Sequence, residues 1–238
     1  MRPLVLAAIV FALGAASATQ AAKGPRVIDQ VWTHPGYPGF NVKSIAMLPP
    51  ASFDHNLELE KQVQGEWGRQ FAGSGFRWVS ATTSRDLIRA TGGDSLLKLV
   101  RDGVLAQGRV DSLVAPGLCA RLHTDALLCV RVDQLTQVAI EPEQSGKPST
   151  SIQMRAALVD STGQLLWRVS GSETAEGIYV QANEGLAEAS GSAVTRSTGL
   201  HGASAAGAPP TAVDVLDRLF TRWAGLFPAK PAAADSAK

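Results

Sequence analysis

The sequence lacks the motifs that usually indicate enzymatic chemistry. It has no glycine-rich phosphate-binding loop, no G-x-S-x-G nucleophile turn and no pair of histidines at metal-ligand spacing. Its four histidines are scattered along the chain, at His34, His55, His123 and His201. We therefore assign no catalytic, cofactor-binding or metal-binding residue, and we expect no cofactor and no enzymatic activity.

Net charge and long apolar runs are also scarce. The chain has 22 Lys and Arg against 21 Asp and Glu, and one of the cations, Arg2, lies in an N-terminal segment that we expect to be removed. A neutral chain without basic clusters is a poor candidate for binding nucleic acid or anionic lipid. Because no second apolar run follows the N-terminal one, we expect no transmembrane span in the mature chain.

The N-terminus has the layout of a secretory signal peptide. Arg2 supplies a positive charge, residues 4–13 are apolar, and small residues follow, with candidate cleavage triplets at 16–18 and 19–21. The apolar run is shorter than the about 20 residues that span a bilayer. No cysteine lies near the cleavage region to accept a lipid. We therefore expect residues 1–22 to be a cleaved signal peptide and the mature protein to be periplasmic and not lipidated.

The mature chain divides into zones of different composition. After an extended leader rich in Pro and Gly, strand and helix signals alternate through a core domain, and an Ala/Gly/Ser-rich segment then separates that core from a last helix. We expect the leader to lie as an ordered arm over the domain and the Ala/Gly/Ser-rich segment to be flexible. The predicted zones are the leader 23–41, the α/β core 42–174, the flexible segment 175–210, the amphipathic helix 211–227 and a disordered tail 228–238.

The residue pattern of the first part of the core predicts two strands and several helices. An apolar run at 42–48 ends at two prolines and is typical of a buried strand, and 76–80 is a second strand. Asp54 or Asn56 can cap a helix between them. Further helices are predicted to begin at a capping-box pattern over 83–86, at Asp94 or Ser95, and at about Pro116. The first helix, ending near Ala72, places four large side chains on one face: Leu59, Val63, Trp67 and Phe71.

The second part of the core predicts an antiparallel meander. Strands at 126–140, 151–160 and 164–174 are joined by a loop and by a three-residue turn in which Gly163 takes the left-handed position. Two βα crossovers followed by this meander predict a mixed α/β (α+β) sheet with helices packed on it. The residues expected to face inward are Ala126, Leu128, Val130, Val132, Ile152, Met154, Ala156, Leu158, Leu165, Trp167 and Val169, with Gln153 and Arg155 outward.

The last helix has a clear start signal and a continuous apolar stripe. Thr211 follows two prolines and is the predicted cap. The stripe either packs on the core sheet or belongs to a detachable helix that binds a partner. Its predicted members are Val213, Leu216, Leu219, Phe220, Trp223 and Phe227.

Three segments carry a resemblance to known proteins. Residues 45–50 form a strand that ends in proline, 124–130 enter a central strand through Thr-Asp-Ala, and 157–167 form a strand, a turn and a strand that ends at Trp167. In this order they resemble α/β proteins of the bacterial periplasm and outer membrane. The group includes the curli secretion channel subunit (CsgG), the penicillin-binding-protein activator lipoprotein (LpoB) and the amino-terminal domain of TolB. The resemblance implies a protein that assembles with or binds other envelope proteins, without catalytic residues.

One local group of metal-ligand residue types occurs at Cys119, His123, Asp125 and Cys129. A zinc site and a disulfide, which an oxidising compartment permits, are two interpretations. A third is a pair of separate, buried thiols, because a helix and a strand that flank a tight turn carry the two cysteines out of step. We favour the third and keep the other two open.

Two functional hypotheses follow from these observations. The first is an exported, non-catalytic envelope protein that acts as a binding or scaffolding factor for a secretion or cell-wall assembly. Its partner would be another envelope protein or a second copy of itself. The second is a periplasmic small-ligand-binding protein or enzyme whose site comes from residues distant in sequence, for which a concave pocket with convergent ionisable groups is the expected sign.

Overall fold

The structure, a computed structural model, describes residues 29–141, 144–180 and 207–228. The predicted signal peptide, the start of the leader, most of the predicted flexible segment with His201, and nearly all of the predicted tail lie outside the described residues. Within the part that is described, no helix combines the length and the apolarity needed to cross a bilayer.

Seven strands form one open, mixed sheet. Their order is β1-β7-β6-β5-β2-β4, and the short β3 also pairs with β5. β2 is parallel to β4 and β5, β3 is parallel to β5, and the other pairs are antiparallel. The mixed α/β fold with two crossovers and an antiparallel meander is therefore confirmed. The strands are β1 Gln30–Thr33, β2 Ser44–Met47, β3 Ala51–Ser52, β4 Arg77–Val79, β5 Ala126–Val138, β6 Ser149–Asp160 and β7 Leu165–Glu176.

In the described residues, four α-helices cover the sheet. They are α1 Leu57–Phe71, α2 Ala81–Gln107, α3 Ala115–Leu122 and α4 Ala212–Ala224. On the first face, α1 and α4 bury the larger of the two hydrophobic clusters. On the second face, α2 and α3 bury the smaller cluster against β2, β3, β5 and β6.

The structure confirms the predicted cap and buried face of the helix α1. Asn56 is the cap, its side chain accepting a hydrogen bond of 3.0 Å from the Leu59 N–H. All four predicted core residues of this helix are buried, and Trp67 and Phe71 stack with ring centroids 4.0 Å apart. The i, i+4 spacing therefore sufficed to locate this part of the core.

Two predicted helices after β4 form the two halves of α2. The helix is interrupted at Gly93, whose φ of 66° is left-handed, near the predicted boundary. The predicted capping box over 83–86 was wrong, because Ser80 is the cap and accepts a 3.1 Å hydrogen bond from the Thr83 N–H. The second half continues to Gln107 and ends at Gly108.

The meander confirms most of the predicted pattern of burial, with one correction. The residues of β5 and β6 expected to face inward lie in the larger cluster, as do Trp167 and Val169 of β7. Leu165 was predicted to join them but packs with the smaller cluster on the second face, and Leu166 lies in the larger one. The reason is a register shift, since Leu158 pairs with Trp167 but Val159 pairs with Leu165.

The end of the predicted leader forms an edge strand. β1 pairs antiparallel with β7, Trp32 lying opposite Arg168 and Gln30 opposite Ser170. Next to β1, the Asp29 carboxylate accepts hydrogen bonds from the Arg222 guanidinium of α4. Gly171 lies beneath this pair, and an added Cβ would meet the Asp29 carboxylate. Residues 30–33 of the predicted arm thus form a strand of the sheet.

The helix α4 packs on the core, as the first interpretation expected. Thr211 and Asp214 form a reciprocal capping box at its start. Leu216, Leu219, Phe220 and Trp223 are fully buried. Val215, four residues before Leu219, is fully buried in place of the predicted Val213, which is only partly covered.

Candidate functional site

The part of the second sheet face formed by β7 and β1 lacks a helical cover in the described chain. The helices α2 and α3 lie over β2, β3, β5 and the adjoining side of β6. Farther along the same face, Arg168 of β7 and Gln30 of β1 are exposed. A cleft of ≈ 560 Å³ lies here, between the turn that follows α2 and the strands β6, β7 and β1.

Strand register places the side chains of this cleft in two rows. Arg168 lies between Ala157 of β6 and Trp32 of β1. Ser170 lies between Arg155 and Gln30 in the next row. Because directly opposed residues share a face of the sheet, both rows point into the cleft.

The turn after α2 forms the opposite wall of the cleft. Gly108 ends the helix with φ 72°, and its N–H donates a 2.8 Å hydrogen bond to the Val104 carbonyl. The Arg155 side chain crosses this turn so closely that an added Cβ on Gly108 would lie 3.0 Å from its Cδ. A left-handed glycine therefore lets the turn approach the sheet, and Arg109 follows it into the wall.

The cleft is cationic although the whole chain is nearly neutral. Arg109, Arg155 and Arg168 line it, and none of the described lining residues is acidic. Arg155 donates a 2.8 Å hydrogen bond to Asp133, which also accepts one of 2.6 Å from Arg131. In the described part of the chain, neither Arg109 nor Arg168 has a side-chain hydrogen bond or ion pair. The Arg168 guanidinium instead lies 5.9 Å from the centre of the Trp32 ring. We call these three arginines with Trp32 the arginine cleft.

A second polar group lies beyond the carboxyl end of β2, where α/β proteins often bind ligands. Arg101 donates hydrogen bonds of 2.7 and 3.1 Å to the two carboxylate oxygens of Glu60. The backbone N–H and the hydroxyl of Ser52 donate to the same carboxylate, at 2.9 and 2.8 Å. Ser52 is fully buried, so its hydroxyl is not available as a nucleophile. This group joins α1, α2 and β3 and stabilises the fold.

Asp54 and His55 lie in the loop just before α1. Of the two predicted caps of this helix, Asp54 and Asn56, the structure has Asn56. The Asp54 carboxylate only accepts a long hydrogen bond of 3.3 Å from the Asn56 N–H. His55 has a left-handed φ of 55°, and its Nδ1 accepts a 3.1 Å hydrogen bond from Arg101.

The predicted group of Cys119, His123, Asp125 and Cys129 does not form a single site, because both cysteines are buried in the smaller cluster while Asp125 bonds to the start of β2. The Asp125 carboxylate accepts three hydrogen bonds, at 2.9 Å from the Lys43 and Ser44 N–H groups and 2.8 Å from the Ser44 hydroxyl. These bonds hold the starts of β2 and β5 together. His123 ends α3 with φ 50°, and its carbonyl accepts a hydrogen bond from Arg77. Among the described residues, no three His, Cys, Asp or Glu side chains are grouped as a metal site.

We expect Asp125→Ala to lower the free energy of unfolding by about 1–2 kcal/mol, because the hydrogen-bonding groups of the buried Ser44 lose their acceptor. Partial burial opposes ionisation of Asp125, but the hydrogen bonds from Lys43 and Ser44 and the nearby Arg77 cation outweigh it, and its pKa is lowered. A lowered pKa adds stability above the unfolded-state pKa of about 3.9 that is lost as pH falls through the folded-state value. Urea titrations at pH 7 and pH 3 measure the free energy of unfolding of the parent protein and of Asp125→Asn. We expect the difference between the two proteins to be smaller at pH 3. A constant difference would contradict this role.

The two cysteines are free and buried in the smaller hydrophobic cluster. The Val110 N–H donates a 3.3 Å hydrogen bond to the Cys129 sulfur. Burial raises the pKa of Cys119 to about 11 and that of Cys129 to about 12. Since the thiolate is the reactive form, these are inert structural thiols near neutral pH.

Alkylation tests this description of the cysteines. The native protein at pH 8 is expected to resist iodoacetamide at Cys119 and Cys129, because both thiols are buried and protonated. The denatured, unreduced protein is expected to take up label at both positions, counted by mass spectrometry. Labelling that requires a reductant would establish the disulfide, and stoichiometric zinc in the purified protein would establish a metal site.

The arginine cleft was not recognised from the sequence as a site. Only the outward direction of Arg155 was predicted, from the alternation of β6. The alternation of β7 also separates Arg168 from Trp167 and Val169, and this signal was available. Arg109 and Trp32 approach the cleft through a helix end and an edge strand that the sequence pattern did not locate.

Comparisons with known proteins concern the fold. Neither a protein-family model nor a curated protein sequence matches the chain. Among solved structures, lipoprotein GNA1162 from Neisseria meningitidis is 17% identical with a TM-score of 0.43, covering 56% of this chain and 83% of its own. PelC from Paraburkholderia phytofirmans, solved as a dodecamer, is 12% identical with a TM-score of 0.34, covering 63% and 81%. Hypothetical protein CT253 from Chlamydia trachomatis is 13% identical with a TM-score of 0.36, covering 57% and 73%.

Proposed function

We propose that this chain is an exported, non-catalytic protein of the bacterial cell envelope that binds other components of an envelope assembly, such as secretion or cell-wall synthesis machinery. The N-terminal pattern of charge, apolar run and small residues supports export. The resemblance of residues 45–50, 124–130 and 157–167 to envelope assembly factors supports the compartment and the kind of role.

The observation that carries the proposal is the β7–β1 part of the second sheet face, which no described helix covers. A sheet normally buries its faces against other elements, and an uncovered face with unpaired cations is suited to a partner. The Glu60 and Asp125 carboxylates are engaged in hydrogen bonds within the fold. Glu60, for example, is bonded by Arg101 and Ser52, so it is not a free base facing a substrate.

Photo-cross-linking in intact cells tests this proposal. A photoreactive amino acid replaces Gln30, which is exposed and lines the cleft, and in a matched control it replaces Leu57, which is 65% exposed at the start of α1. We expect a discrete cross-linked envelope protein, or a cross-linked dimer of this chain, from position 30 and not from position 57. Absence of any specific adduct at position 30 would contradict the proposal.

The N-terminus of the protein recovered from cells tests export. Protein recovered from an envelope fraction is expected to begin between Thr19 and Lys23, as measured by intact-mass spectrometry and N-terminal peptide mapping. Protein with Met1 intact, or found only in the cytoplasm, would contradict export. A Cys added directly after the cleavage region would serve as a control for lipidation, because the natural region has none.

The second candidate is a small-ligand-binding protein or an enzyme. The cleft volume of ≈ 560 Å³ favours it, since small-molecule pockets are typically about 300–1,000 Å³. Three arginines supply groups that bind an anion, but the cleft has no acidic, histidine or cysteine side chain to transfer a proton or attack a substrate. A catalytic activity of the pure protein that is lost on changing one polar residue, with the fold retained, would establish this candidate.

A further inference from the structure

We infer that the arginine cleft is the contact site for an extended, acidic segment of a partner polypeptide. The inference rests on the proposed function and states the chemical nature of the partner's binding segment. It follows from the charge, the shape and the hydrogen-bonding groups of the cleft.

The charge of the cleft suits an anion. Arg109 and Arg168 are free of hydrogen bonds and ion pairs in the described part of the chain, whereas Arg155 is paired with Asp133 through its Nε. A guanidinium group can hold a carboxylate by two parallel hydrogen bonds, and it is less strongly hydrated than the ammonium group of lysine. Arg109 and Arg168, which no described acid faces, therefore form a local positive field.

The shape of the cleft selects among anionic partners. The site is concave, with the turn at Gly108 on one side and β1 on the other, so a narrow chain can enter it whereas the flat surface of a bilayer cannot. The Arg168 guanidinium lies over one face of the Trp32 ring, so that face is not free for a sugar or a nucleobase to stack on.

The remaining polar groups suit a peptide backbone. Gln30 and Gln107 present side-chain amides and Ser170 presents a hydroxyl, all at the lining of the cleft. These groups both donate and accept hydrogen bonds, as the alternating N–H and C=O groups of an extended chain require. The arginines would bind the acidic side chains and the amides the backbone between them.

Fluorescence anisotropy with the purified mature protein tests the inference. The probe is a fluorescein-labelled peptide of ten glutamates, and a labelled peptide of ten glutamines is its matched control. We expect saturable binding of the glutamate peptide only, weakening as salt is raised from 50 to 300 mM, because salt screens surface charge. Arg168→Gln and Arg109→Gln are each expected to weaken binding by about tenfold.

Arg85→Gln is the control variant, because Arg85 is an exposed arginine of α2 outside the cleft. It should bind like the parent protein, and all three variants should keep the parent melting temperature. Equal weakening by Arg85→Gln, or no saturable binding of the glutamate peptide, would overturn the inference. Tighter binding of polygalacturonate, or of vesicles containing phosphatidylglycerol, would overturn it in favour of a polysaccharide or a membrane. In each of these cases the cross-linking at position 30 still tests the proposed function separately.

Discussion

Replacement of Trp223 by alanine is expected to lower the free energy of unfolding by about 3–5 kcal/mol, the usual cost of deleting a buried aromatic side chain. Trp223 is fully buried between α4 and the sheet, and its ring lies 5.8 Å from that of Phe220. The ring centroid of Phe220 in turn lies 5.1 Å from that of Trp67 of α1. The cavity would therefore open where α4, α1 and the sheet meet.

Urea denaturation measured by circular dichroism gives the free energy, with Arg218→Ala as the control. Arg218 is an exposed residue of the same helix, so its substitution should change stability by less than about 0.5 kcal/mol. If Trp223→Ala has the same free energy of unfolding as the parent protein, α4 does not stabilise the core in solution. That result would favour the interpretation of α4 as a detachable helix that binds a partner.

Replacement of Glu60 by alanine is also expected to have a large effect, lowering the free energy of unfolding by about 2–3 kcal/mol. Removing one partner of a buried ion pair leaves the other charge without compensation, at a cost of about 3–5 kcal/mol when burial is complete. The Arg101 side chain keeps 25% exposure, so water offsets part of this cost. The buried Ser52 N–H and hydroxyl lose their acceptor at the same time.

Two further variants separate the charge from the hydrogen bonds. Glu60→Gln keeps an acceptor for Ser52 but removes the charge, so its loss should be smaller than that of Glu60→Ala. Glu58→Ala removes an exposed acid of the same helix, 3.9 Å from Lys61, and should be close to neutral. Equal, small effects at positions 58 and 60 would show that the Glu60 group contributes little to stability.

The sequence was sufficient for features that depend on local periodicity and turn chemistry. The spacing of Leu59, Val63, Trp67 and Phe71 placed the buried face of α1 because a helix repeats every 3.6 residues. Gly163 was correctly placed in a left-handed turn, with φ 86°, because few other residues tolerate that conformation. The order of crossovers and hairpins then fixed the mixed sheet.

Features that depend on distant pairing were missed. Whether β1 joins the sheet is decided by β7, more than 130 residues later, and the leader has no alternation to suggest it. The shift that moves Leu165 to the other face is a property of the β6–β7 register, which a single strand does not reveal. The arginine cleft combines both difficulties, since its side chains come from β1, β6, β7 and the end of α2.

The pairing of β1 with β7 constrains the order in which the chain folds. β1 lies more than 130 residues before its partner strand, and the Arg222 that bonds Asp29 comes later still. Contacts between residues so far apart in sequence form only after the intervening chain is available. The wall of the cleft made by Gln30 and Trp32 therefore cannot form before β7 has been synthesised. A partner that requires this wall would bind chains that include β7 and would leave shorter, truncated chains unbound.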